Sequence, residues 1–181
     1  MILSPRLLLP AALGLALSAG APVDPKVKRG AYLVALGGCN DCHTPLKMGP
    51  KGPEPDGTRL LSGHPEGVGM PPAPKLPPGP WLWLGAATNT AFAGPWGVTF
   101  SSNLTPDPET GLKATDAATF IQWIRSGRHL GKGRPLLPPM PIQNLQAATD
   151  EDLRALHAYL RSLPPLKNRV PNHVPSAPVA P

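Results

Sequence analysis

Residues Cys39-Asn40-Asp41-Cys42-His43 put two thiols three positions apart, with an imidazole directly behind the second. On one helical turn, thiols at that spacing can each add to one of the two vinyl groups of a haem. The next residue then offers a ring nitrogen to the iron. These are the only two cysteines among 181 residues. A thioredoxin-like redox pair would use the same thiols, but it expects strands in a βαβ context, which the sequence does not suggest. A zinc knuckle needs four ligands, and no second cysteine pair completes one. A disulfide across so short a loop would stabilise little. The spacing therefore predicts one covalent haem c, attached at Cys39 and Cys42, with His43 as the proximal iron ligand.

With His43 alone, the iron is open on its other face. Met48, Met70, Met140, His64, His129, His157 and His173 are the residues able to close it. Met140 has the most favourable setting. Pro138, Pro139 and Pro141 stiffen the backbone around a side chain that otherwise has three soft torsions, and a weak thioether ligand needs that support. Met70, in Gly69-Met70-Pro71-Pro72, is the rival. His129 would give two imidazoles and a lower potential. His64 reads as an ordinary hydrogen-bonding loop histidine, and His157 as a helix-surface or rim histidine.

Three further stretches matter: Gly94-Pro95-Trp96-Gly97-Val98-Thr99-Phe100, Asn103-Leu104-Thr105-Pro106-Asp107 and Leu137-Pro138-Pro139-Met140-Pro141. With the C-x-x-C-H motif they resemble the class I cytochrome c family. More narrowly, they resemble single-haem bacterial periplasmic cytochromes related to the cytochrome c subunits of membrane dehydrogenases. The resemblance covers about residues 26 to 166. It implies an all-α, cytochrome c-like fold, with about three main helices around one haem and a long Pro/Gly-rich wrapping loop. It implies Met140 as distal ligand, because the family keeps its methionine between the last two helices. It further implies a backbone carbonyl of Pro50 or Pro53 on the second nitrogen of His43, and Ser102 or Asn103 at the propionate edge. The implied role is one-electron transfer without substrate chemistry or catalytic residues. A dehydrogenase would be the donor, and an oxidase or another cytochrome the acceptor. The competing reading is a haem sensor or peroxidase-like protein with a displaceable distal ligand, which would need an acid–base residue such as His64 or His129 over the iron.

Three amphipathic stretches must hold these residues. Asp24 and Pro25 open a helix over 25–36, with Val27, Ala31, Val34 and Ala35 on one face and Gly37-Gly38 at its end. Gly30 and Tyr32 resemble the small and aromatic residues with which the family's first helix packs on its last. Thr115 is the expected N-cap of a helix to about Ser126, with Ala117, Phe120, Ile121 and Ile124 inward and Gly127 as its stop. Thr149, followed by Asp150, Glu151 and Asp152, opens the last helix, and Pro164-Pro165 end it. Its apolar stripe is Leu153, Leu156, Leu160 and Leu163. Between these elements, Thr44 to Lys113 holds half of the 28 prolines and no helical period. It reads as loop wrapped over the haem, into which Trp81, Trp83 and Trp96 can pack.

Residues 1–20 read as a signal peptide: Arg6 precedes an apolar run from Leu7 to Leu17, and small residues follow. An uncleaved anchor is the alternative. Export to the periplasm follows from either. The cytochrome domain is expected over 24–166 and a disordered Pro-rich tail over 167–181. The formal net charge of +6 becomes +5 without Arg6. Lys and Arg are scattered, with no dense basic run interleaved with aromatics, so nucleic acid is excluded as a partner.

Overall fold

The computed structural model describes residues 22–73 and 79–176. The expected signal peptide, 1–20, lies outside the described residues. Among the described residues, no helix is long and apolar enough to cross a membrane.

Helix α1, Pro25–Leu36, starts where the Asp24 carboxylate accepts from the Lys26 N–H. After it, Gly38 adopts φ +63°, a left-handed turn that glycine makes without strain. The chain then enters α2, Cys39–His43, directly. Helix α3, Ala117–Ser126, is capped by Asp116 rather than by Thr115, one residue later than expected, and Gly127 at φ +63° ends it. A short helix α4, Ile142–Gln146, precedes α5, Asp150–Ser162. Thr149 caps α5 and three carboxylates occupy its first turn, as its sequence demands.

α1 and α5 cross at Gly30. A Cβ there would lie 2.6 Å from the Cβ of Tyr159 and against the Ala155 carbonyl. The glycine therefore lets two backbones meet. Tyr32 does not share this contact: it is exposed, with the Arg29 guanidinium 5.5 Å above its ring. The core gathers Val34, Phe120, Ile121, Ile124, Leu153, Leu156 and Leu160 from the three long helices. Leu61 and Leu112 join them from the intervening segment, and Ile142 from α4. Each fully buried leucine contributes about 1.5–3 kcal/mol of hydrophobic free energy.

The all-α expectation is wrong. The segment 44–113 builds two antiparallel sheets, and the fold is mixed α/β. β1, Leu46–Gly49, pairs with β2, Gly52–Pro55, around a Pro50-Lys51 turn. β3, Leu84–Gly85, β4, Ala91–Gly94, and β5, Gly97–Phe100, form a second sheet in that order, with Pro95-Trp96 as the β4–β5 turn. Of the prolines that argued against regular structure, Pro50 and Pro95 sit in the two hairpin turns and Pro53 and Pro55 in β2. Both strands of a two-stranded sheet are edges, where a missing N–H is tolerated.

Of the expected disordered tail, residues 167–176 are described; Asn168 is buried there and most of the others are exposed. Val174 bridges to Val98 of β5, and His173 Nε2 donates to the Trp96 carbonyl.

Candidate haem site

Cys39 and Cys42 lie on α2, one turn apart, and both are free thiols. Burial pushes both thiols up, and the charge of Asp41 adds to the effect. A redox-active C-x-x-C pair does the opposite and lowers its thiol pKa.

The turn is pinned at its C-terminal end. The Thr44 N–H donates to the Asn40 carbonyl, and the Thr44 hydroxyl donates to Asn40 Oδ1 while accepting from the Leu61 N–H. Asn89 Nδ2 donates to the Asp41 carbonyl at 2.7 Å.

His43 is buried, and its Nδ1 lies 2.8 Å from the Ser102 carbonyl. A carbonyl can only accept, so Nδ1 carries the proton. Burial lowers the pKa of the ring, against a smaller opposing effect of the Ser102 bond, so the imidazole is neutral. Among the described residues Nε2 has no partner, and it is not one of the fully sealed, unpaired atoms. A neutral imidazole with its lone pair on a reachable Nε2 is what an iron requires. The residues present therefore fit a covalently attached haem.

The partner of Nδ1 corrects the sequence reading. It is the carbonyl of Ser102, just beyond β5, and not that of Pro50 or Pro53, which lie in the first hairpin. Asn103 is also committed elsewhere. Its Nδ2 donates to Thr110 Oγ1 and the Leu166 carbonyl, and its Oδ1 accepts from the Thr105 N–H and hydroxyl. No side-chain signal could have identified Ser102, because the group that acts is a peptide carbonyl.

The turn Leu61-Ser62-Gly63-His64 supports His43 from the other side. The Gly63 N–H donates to the His43 carbonyl at 2.8 Å, and the His64 N–H to the Ser101 carbonyl at 2.9 Å. His64 is fully buried with both ring nitrogens engaged. Nε2–H donates to the Val68 carbonyl, which leaves Nδ1 to accept from the Thr90 hydroxyl. His157 likewise donates from Nε2 to the Thr115 carbonyl. The His129 ring lies 4.6 Å from that of Trp123, tilted by 30°. His64 and His157 are thus structural, and His64 is not available for acid–base work over an iron.

Met140 is half-buried in the link between residues 131 and 142, immediately before α4. Its N–H donates to the Leu137 carbonyl, and its carbonyl accepts from the Ile142 N–H. Thr99 Oγ1 donates to the Pro138 carbonyl at 3.2 Å. Thr99 and Ser102 are three residues apart, so the points that tie the Met140 link and His43 lie within about 11 Å of each other along the chain. The rival Met70 lines an apolar depression of about 250 Å³ on the β3–β4–β5 sheet, together with Leu84, Ala91, Phe92 and Val98. Met48 is exposed on β1.

No family model matches the chain. Individual relatives do. One subunit of the nicotinate dehydrogenase of Pseudomonas putida is 38% identical over 85 residues, which is 47% of this chain and 7% of that protein. The gluconate 2-dehydrogenase cytochrome c subunit of Pantoea cypripedii is 29% identical over 136 residues, 75% of this chain and 23% of the relative. The cytochrome c subunit of the quinone alcohol dehydrogenase of Gluconacetobacter polyoxogenes is 29% identical over 133 residues, 74% of this chain and 21% of the relative. Over most of its length, the chain is similar to cytochrome c subunits of dehydrogenases. It spans no more than about a quarter of the length of these relatives.

Proposed function

We propose that this chain is a single-haem c-type cytochrome that carries one electron at a time from a dehydrogenase to an oxidase or another cytochrome. Cys39 and Cys42 would hold the haem covalently, and His43 and Met140 would ligate its iron. The observation that carries the reading is His43: an imidazole adjacent to two free thiols, with Nδ1–H bound to the Ser102 carbonyl and Nε2 unpartnered among the described residues. Similarity to the cytochrome c subunits of dehydrogenases supports the same role.

When bound, the haem supplies an iron that takes up and releases one electron. The chain's own residues do the rest. The thiols of Cys39 and Cys42 fix the group to α2. The Ser102 carbonyl holds the His43 proton on Nδ1, which keeps the Nε2 lone pair in place and raises its basicity. The proline-rich link would supply the Met140 thioether as the second iron ligand, which would raise the potential relative to two imidazoles. No side chain has to change place during the cycle. Residues 1–20 are proposed to direct export, so that the carrier works in the periplasm. A dehydrogenase is the proposed donor because the relatives are dehydrogenase subunits.

The test is the absorption spectrum of protein made in a host that matures c-type haem, oxidised and reduced, with and without carbon monoxide. A sharp low-spin reduced spectrum, a weak far-red sulfur-to-iron band when oxidised, and no response to carbon monoxide are expected. Haem that is lost on boiling in detergent would overturn covalent attachment. Ready binding of carbon monoxide would overturn the closed carrier in favour of a sensor or peroxidase-like protein.

A further inference from the structure

We infer that Asn168, in the segment beyond α5, is a positioning residue for His43. The inference rests on the proposed haem ligation and deepens it. Asn168 is 1% exposed, and every hydrogen-bonding site of its amide is used. Nδ2 donates to the Ser62 carbonyl at 2.7 Å and to the His64 carbonyl at 2.9 Å. Oδ1 accepts from Arg59 Nη2 at 2.8 Å and from the Glu66 N–H at 2.9 Å. Two donors and two acceptor sites are all an asparagine side chain has.

The two carbonyls it binds flank Gly63. That residue's N–H donates to the His43 carbonyl, and a Cβ on it would meet both the Ser101 and the Ser102 carbonyls, the second of which accepts from His43 Nδ1. Asn168 therefore clamps one side of a turn whose other side holds both the backbone and the ring of His43. It touches neither the ring nor the thiols.

The clamp is itself anchored. The Asn168 N–H donates to Thr110 Oγ1 at 3.0 Å. Two residues earlier, the Leu166 carbonyl accepts from Asn103 Nδ2, and the Leu166 N–H donates to Thr105 Oγ1. Asn103 follows Ser102 in the chain, so the segment after α5 grips the proximal support at two neighbouring points. Losing the two Nδ2–H bonds would leave the Ser62 and His64 carbonyls unpaired and free Gly63 to shift.

Asn168→Asp tests this in the full-length, haem-loaded chain, with Arg169→Ala as comparator. The aspartate keeps the shape and the acceptors but loses both donors. Hydrogen exchange of the His43 Nδ1–H and the Gly63 N–H is followed by NMR, alongside the amides of Leu153 and Leu156 in α5. The expected result is exchange at least about tenfold faster at His43 and Gly63, with α5 unchanged and Arg169→Ala like the parent. Unchanged exchange at His43 would overturn the inference. So would equal acceleration everywhere, because that marks a residue of general stability. If Asn168→Asp does not fold, Asn168→Ser, which shortens the donor, is read in the same way. Haem staining of the same samples after denaturing electrophoresis reports separately on covalent attachment. A parent chain that fails there overturns the proposed function, while the exchange of the His43 ring proton still reports on the clamp.

Discussion

The α-carbon of Gly63 faces the Ser102 carbonyl so closely that a Cβ would lie 2.6 Å from the oxygen that holds His43 Nδ1. Gly63 also has φ +77°, a conformation that costs another residue about 1–2 kcal/mol. Gly63→Ala is therefore expected to lower stability by at least about 2 kcal/mol, because strain and the displaced peptide add. A lowered denaturant midpoint measures the first effect, and faster exchange of the His43 ring proton the second. A variant as stable as the parent would mean that the turn is looser than its geometry indicates.

This turn also shows what could be read from sequence and what could not. C-x-x-C-H exposes its chemistry, because the reacting atoms are side chains at fixed spacing. The caps of α1 and α5 were legible for the same reason: Asp24 and Thr149 act through side chains on their own segments. Ser102 acts through its peptide carbonyl, and Asn168 across a separation of about a hundred residues, so neither leaves a local pattern. The two sheets were hidden by composition. Pro50, Pro53, Pro55 and Pro95 mark turns and edges, yet in a count of prolines they look like loop.

Met140→Ala should retain covalent haem, because Cys39 and Cys42 are untouched, and should open the distal face. The far-red band of the oxidised form should vanish, and the reduced form should bind carbon monoxide. An unchanged spectrum would exclude Met140 and send the search to Met70 or a histidine. Met70→Ala is the paired control, and it is expected to leave the spectrum as it was, since Met70 lines the apolar face of the second sheet.

Acid should expose Asp107. The Thr110 hydroxyl, then the Thr110 and Glu109 N–H groups and Lys167, hold its carboxyl below the usual 3.8. A folded-state value below the unfolded one means that its stabilisation is complete above about pH 4 and is lost as pH falls through the lower value. Buried His64, pushed down from 6.5, adds a separate loss that begins below that pH. Comparing Asp107→Asn with the parent cancels the histidine contribution. The difference between their thermal midpoints should be largest near pH 6 and shrink below pH 4. A difference that stays constant down to pH 3 would show that the carboxylate charge does not contribute.

Gly30→Ala sets two effects against each other. In an open helix, alanine gains about 1 kcal/mol over glycine. Here the new methyl meets the Ala155 carbonyl and would lie 2.6 Å from the Tyr159 Cβ, atoms that no rotamer change can move. Overpacking of this kind costs about 1–3 kcal/mol, and contact with backbone belongs at the upper end. The net expectation is a loss of about 2 kcal/mol, read as a lower denaturant midpoint with the haem still attached. The loss should come from α1 and α5 moving apart, so amide exchange should rise in those helices and stay unchanged in β4 and β5. A stabilised variant would mean that helix propensity outweighs the contact and that the crossing tolerates a wider spacing.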